Sequence, residues 1–178
     1  GAMRGSIVEV TCGERTYSYA IMQYDVVDLL GTYQGQYISL LDQQTYGLSN
    51  VVISGPDASG VYTIDGLLEG ETGCAIKATY ENNMFSISAG QKLKAYDELP
   101  AFDIHFGLMN LSARSYWTSE YTVGLVPVFV EGAGIGLSFE DNGGMPNTFA
   151  GLSFSLFRGD TYYDDYEILL RCLLYRPN

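Results

Sequence analysis

Between residues 31 and 93, short β-branched and aromatic runs alternate with turn residues. The runs are Gly31-Thr32-Tyr33-Gln34-Gly35-Gln36-Tyr37, Val51-Val52-Ile53, residues 61–67, residues 74–80, Met84-Phe85-Ser86-Ile87-Ser88 and Gly90-Gln91-Lys92-Leu93. With Gly, Asn, Asp and Pro between them, they predict an antiparallel meander. Further on, the alternation is clean enough to assign faces. Phe102, Ile104, Phe106 and Leu108 alternate with Asp103, His105 and Gly107; Ile135, Leu137 and Phe139 with Gly136, Ser138 and Glu140; Ala150, Leu152, Phe154 and Leu156 with Gly151, Ser153 and Ser155. A period of two makes each a half-buried strand. Residues 121–130 are apolar on both faces, and Pro127, which cannot donate to a ladder, places them near an edge or a bulge. Residues 166–175 read as the closing strand, with Ile168, Leu170, Cys172 and Leu174 inward.

Ahead of the meander, residues 7–11 and 16–23 flank Cys12-Gly13-Glu14-Arg15, which has the length and the glycine of a hairpin loop. An isolated hairpin is marginal in water, so it packs on the main domain or is the tail of a preceding one. Residues 25–30 have the spacing of one helical turn that plugs a barrel end. The expected organisation is a cleavage scar (Gly1-Ala2-Met3) plus hairpin over 1–25 and a β-barrel domain over 26–178. Eight to ten strands without βαβ alternation predict an all-β, antiparallel up-and-down barrel, with a two-sheet sandwich as the alternative.

The stretches Leu30-Gly31-Thr32-Tyr33-Gln34-Gly35, Tyr62-Thr63-Ile64-Asp65-Gly66-Leu67, Ile76-Lys77-Ala78-Thr79-Tyr80 and Ile87-Ser88-Ala89-Gly90-Gln91-Lys92-Leu93 resemble the calycin-like, lipocalin-like domains of secreted Bacteroidetes lipoproteins. The resemblance spans roughly residues 28–176 and rests on short structural turns. It implies a barrel exported to the periplasm or cell surface, lipid-anchored through a removed N-terminus. The preceding hairpin, ending in Tyr19-Ala20-Ile21-Met22-Gln23, resembles the last strands of the immunoglobulin-like domains that often precede such barrels. The family brings no catalytic residue to this chain.

Charge narrows the partners. With 21 acidic against 9 basic residues, the net charge of −12 repels phosphate backbones and anionic leaflets, so nucleic acid is not an expected partner. No apolar run is long enough for a transmembrane segment. Cys12, Cys74 and Cys172 follow no metal-ligand spacing. Cys74 and Cys172 read as buried free thiols, with a disulfide between them requiring adjacent strands.

Nothing in the chain announces a reaction: no nucleophile elbow, phosphate loop or dinucleotide fingerprint occurs. Gly132-Ala133-Gly134-Ile135-Gly136 opens a strand, where glycine marks a turn or bulge. The only histidine, His105, lies on the polar side of its strand and reads as an ordinary exposed or hydrogen-bonded side chain. Two acidic groups, Glu140-Asp141-Asn142 and Asp160 with Asp164, Asp165 and Glu167, have oxygens that can bind calcium but do not follow the EF-hand order, and a glycosidase pair needs an acid and a base held across a cleft at a set separation. No catalytic residue, metal ligand or cofactor is therefore assigned. The aromatic loops are the most suggestive feature: Tyr116, Trp117 and Tyr121 in one, Tyr162, Tyr163 and Asp164 in the other. Rings flanked by hydrogen-bonding groups suit stacking on sugars or packing on a protein. The alternative is that they cover barrel ends. The expected function is a non-catalytic, extracytoplasmic binding or accessory module for a glycan or surface protein. A barrel holding a small apolar molecule is the alternative, and an enzyme comes last.

Overall fold

A computed structural model describes residues 4–130 and 134–176. The proposed scar Gly1-Ala2-Met3 and the Gly132-Ala133 part of the glycine-rich stretch lie outside these residues.

The hairpin is formed by β1 (Arg4–Cys12) and β2 (Arg15–Gln23), a two-stranded sheet of its own. A 3₁₀ turn, Val26–Leu29, follows. It adds to the core: Leu29 is fully buried and its carbonyl accepts from Tyr33 Oη at 2.9 Å. The remaining strands are β3 (Gly31–Ser39), β4 (Thr45–Ser54), β5 (Tyr62–Asp65), β6 (Ile76–Glu81), β7 (Met84–Ser88), β8 (Gln91–Ala95), β9 (Asp103–Asn110), β10 (Ser115–Tyr116), β11 (Thr122–Val130), β12 (Gly134–Glu140), β13 (Phe149–Arg158) and β14 (Thr161–Tyr175). All pairings are antiparallel. The path β3-β4-β5-β6-β7-β11-β12-β14 closes on itself through β14 and β3, an eight-stranded barrel compatible with a calycin-like fold; the sandwich alternative is set aside.

Off this ring, β13 pairs with the first part of β14, β9 with β13, and β8 and β10 with β9. β14 thus offers one edge to two strands in turn, β13 up to Leu170 and β12 from Leu173. The switch falls on Arg171, whose φ of +50° is left-handed, and the β3 ladder skips there too. This bulge corrects the expected facing. Leu169, not Leu170, joins Cys172 and Leu174 in the core cluster, because the inserted residue reverses the side-chain alternation. A left-handed backbone costs an L-residue roughly 1–2 kcal/mol and glycine nothing. Arg171→Gly should therefore hold or raise the melting temperature, whereas β-branched Arg171→Val should lower it. Pro127 sits where expected: β11 pairs with β7 only through Leu125, so at Pro127 one edge is free.

Inward side chains form one continuous cluster, with Tyr33, Phe85, Phe106 and Phe154 among the fully buried. Cys74, just before β6, and Cys172, on β14, are buried free thiols within it, and those elements do not pair. Burial pushes the Cys172 thiol up to about 12 and is the first cause raising Cys74 to about 11, from an ordinary 9.0. A raised thiol pKa stabilises the fold only while the unfolded thiol stays protonated, so stability falls as pH rises above about 9. At neutral pH a thiol reagent should label only exposed Cys12 quickly, and all three cysteines after denaturation.

Candidate functional site

Midway along β9 and β13 three outward positions are small: Gly107 lies opposite Ser153, and Ser153 and Ser155 are fully buried from outside. What covers them is the loop after β10. Trp117 lies on the bare Gly107 backbone so closely that a Cβ there would sit 2.5 Å from Trp117 Cδ1. Its Nε1–H donates to Ser155 Oγ at 3.3 Å, and that hydroxyl donates to Asp165 Oδ1 at 3.1 Å. Gly90, at φ +79°, lets the same loop approach from β8: a Cβ there would be 2.8 Å from the Trp117 carbonyl.

Further rings gather around the indole. Tyr162 lies 5.1 Å from Trp117 between centroids, at 32°, and Phe157 meets Trp117 edge-on at 5.4 Å. Tyr116 and Tyr121 pack at 4.5 Å, with Arg114 above the Tyr116 ring at 5.3 Å. Asn110 Nδ2 donates to Tyr116 Oη at 3.2 Å, fixing that ring. Together Tyr116, Trp117, Tyr121 and Tyr162 line one open cleft of ≈ 610 Å³, with Arg114, Glu120 and Asp165 at its polar positions. Partial burial, then the Asp165 charge, raise the Tyr162 phenol, and a hydrogen bond to Glu120 raises that of Tyr121, so both are donors at neutral pH.

Four of the six expected residues therefore converge, and two do not. Tyr163 packs on Phe102 at 4.6 Å, away from the cleft, and Asp164 accepts from the Asp165 N–H at 2.9 Å. Tyr162 and Tyr163 are also not in a loop, since β14 begins at Thr161. Arg114 and Glu120 are cleft residues that sequence reasoning passed over, and Asp165 drew attention only as part of an acidic group. His105 departs from its expected setting as well. It stacks on Phe157 at 4.4 Å, its buried Nε2 has no hydrogen-bond partner among the described residues, and burial holds its pKa below the usual range, so the ring is neutral at pH 7.

At least one member of each acidic group is tied into the fold. Asp141 accepts from the Gly143 and Phe149 N–H groups, and Glu167 accepts from Ser39 Oγ at 2.7 Å. Among the described residues no group of three or more His, Cys, Asp or Glu is placed to hold a metal ion, and no helix is long and apolar enough to cross a membrane. The chain matches no family model, no curated protein and no solved structure.

Proposed function

We propose that this protein is a non-catalytic binding module that stacks a sugar ring of a glycan in the outer cleft of Tyr116, Trp117, Tyr121 and Tyr162. The observation that carries this reading is the convergence of those four rings, from two distant stretches of sequence, beside Glu120 and Asp165. Aromatic faces take the C–H face of a sugar, and flanking carboxylates accept its hydroxyls. The barrel interior supports the outside as the site, because large side chains occupy it. The resemblance to secreted lipoprotein domains supports placing the module outside the cytoplasm, lipid-anchored at the cell surface.

A glycan-array screen tests the proposal, with Tyr162→Ala as the paired variant. Trp117 is a blunter probe, since it packs on the wall as well as lining the cleft. Tyr162 is 42% exposed, so its truncation should leave the melting temperature nearly unchanged. Binding of any array hit should weaken by roughly 1–2 kcal/mol, about five- to thirtyfold. Hits that Tyr162→Ala retains in full would place binding elsewhere.

A further inference from the structure

The barrel wall forks beside β6. β6 and β7 pair only over residues 79–81 and 84–86, after which the chain runs along β11 and then, as β8, along β9. The next ladder position on β6, at Lys77, is filled by a side chain. The Lys77 N–H donates to Gln91 Oε1 at 2.7 Å, and Gln91 Nε2 donates to the carbonyls of Lys77 and Ser88, both at 2.9 Å. The Gln91 carboxamide thus offers β6 the acceptor and donor of a peptide unit, in the place of a strand.

Outside this splice lies a groove of ≈ 570 Å³ whose lining includes Ala75, Lys77, Thr79, Ser86, Ser88 and Lys92 and contains no carboxylate. In a chain of net charge −12 that is an unusual surface. Lys92 is neutralised by Asp103 at 2.7 Å. Lys77 is exposed and forms no ion pair among the described residues. The groove therefore presents a cation that has no ion pair among the described residues, though its charge reaches Asp57, beside the one β6 peptide position, Lys77, that already pairs with an amide.

We propose that this groove takes an extended acidic peptide as an added strand on β6. Its main chain occupies the slot now held by the Gln91 carboxamide, and a carboxylate pairs with Lys77. Main-chain pairing supplies the affinity and the lysine the preference for acidic sequence. The site is separate from the aromatic cleft and does not depend on that reading.

The test is an NMR titration of the whole chain with a capped eight-residue peptide alternating valine and glutamate. Saturable shifts are expected in residues 74–79 and 86–93, with the cleft residues Arg114, Tyr116, Tyr121 and Tyr162 unmoved. Methylating alternate peptide nitrogens removes donors and should weaken binding about tenfold or more. Lys77→Glu should weaken it roughly fivefold, most strongly at low salt. Gln91→Ala, which vacates the slot, should tighten it. No saturable shift in these segments at millimolar peptide overturns the proposal, as does equal binding of the methylated peptide. A sulfated sugar that shifts the same residues where the peptide does not would assign the groove to an anionic glycan and overturn it equally.

Discussion

Phe154→Ala is expected to destabilise the barrel by about 3–5 kcal/mol, the range for deleting a fully buried phenylalanine. Phe154 is fully buried and packs on Phe106 across the β9–β13 pair, at 5.5 Å between ring centroids. Both rings belong to the single core cluster, which also draws on β3, β4 and β5 from the far part of the chain. The truncation therefore opens a hole where several strands meet, and close-packed neighbours refill it only in part. For a domain of this size the melting temperature should fall by roughly 6–20 °C. Thermal unfolding followed by circular dichroism at strand wavelengths reads this directly. A fall of only a degree or two would show that the interior is loosely packed, and would reopen the reading of the barrel as a container for an apolar ligand.

Gly107→Ala should have the largest effect on the cleft. The added Cβ would lie 2.5 Å from Trp117 Cδ1 and 2.7 Å from both Nε1 and the Tyr116 carbonyl oxygen. The indole could swing aside, but the carbonyl belongs to the backbone, so the strand pairing of β10 with β9 must shift with it. Overpacking of this kind costs about 1–3 kcal/mol. Its first consequence is loss of the Trp117 Nε1 to Ser155 hydrogen bond, and with it the platform on which Tyr162 rests. Tryptophan emission should move to longer wavelength and acrylamide should quench it more readily, while strand content is kept. Unchanged emission would mean that the wall yields and the loop holds.

How much of this could be read from the chain follows from what alternation reports. β9, β12 and β13 were legible because apolar and polar residues alternate along them against one filled interior. β14 was legible only from Tyr166 onward. Its earlier residues, Thr161 to Asp165, carry aromatic and acidic side chains on both faces, and so read as a loop, yet they pair with β13. The reversal at Arg171 was hidden for the same reason: a run of Ile168, Leu169, Leu170, Cys172, Leu173 and Leu174 looks alike in either register.

The cleft was half legible. Loop composition drew attention to Tyr116, Trp117 and Tyr121, but only pairing across β13 and β14 brings Tyr162 beside them and turns Tyr163 towards Phe102. Gly107 and Ser155, which seat the indole, stood in the sequence as ordinary polar-face residues. Their role depends on a strand-to-loop contact that alternation does not encode. The Gln91 splice was equally silent, because a glutamine at the start of a strand carries no signal of bridging to its neighbour.

The central claim is that ligand meets this protein on the outer wall at Trp117, the only tryptophan in the chain. The measurement that tests it most directly is Trp117 emission during titration with the glycans that the array selects, with calorimetry run in parallel. Emission should change saturably, with the same midpoint as the heat, and both signals should weaken together in Tyr162→Ala. Heat of binding with no change in Trp117 emission would contradict the claim and move the site away from this cleft.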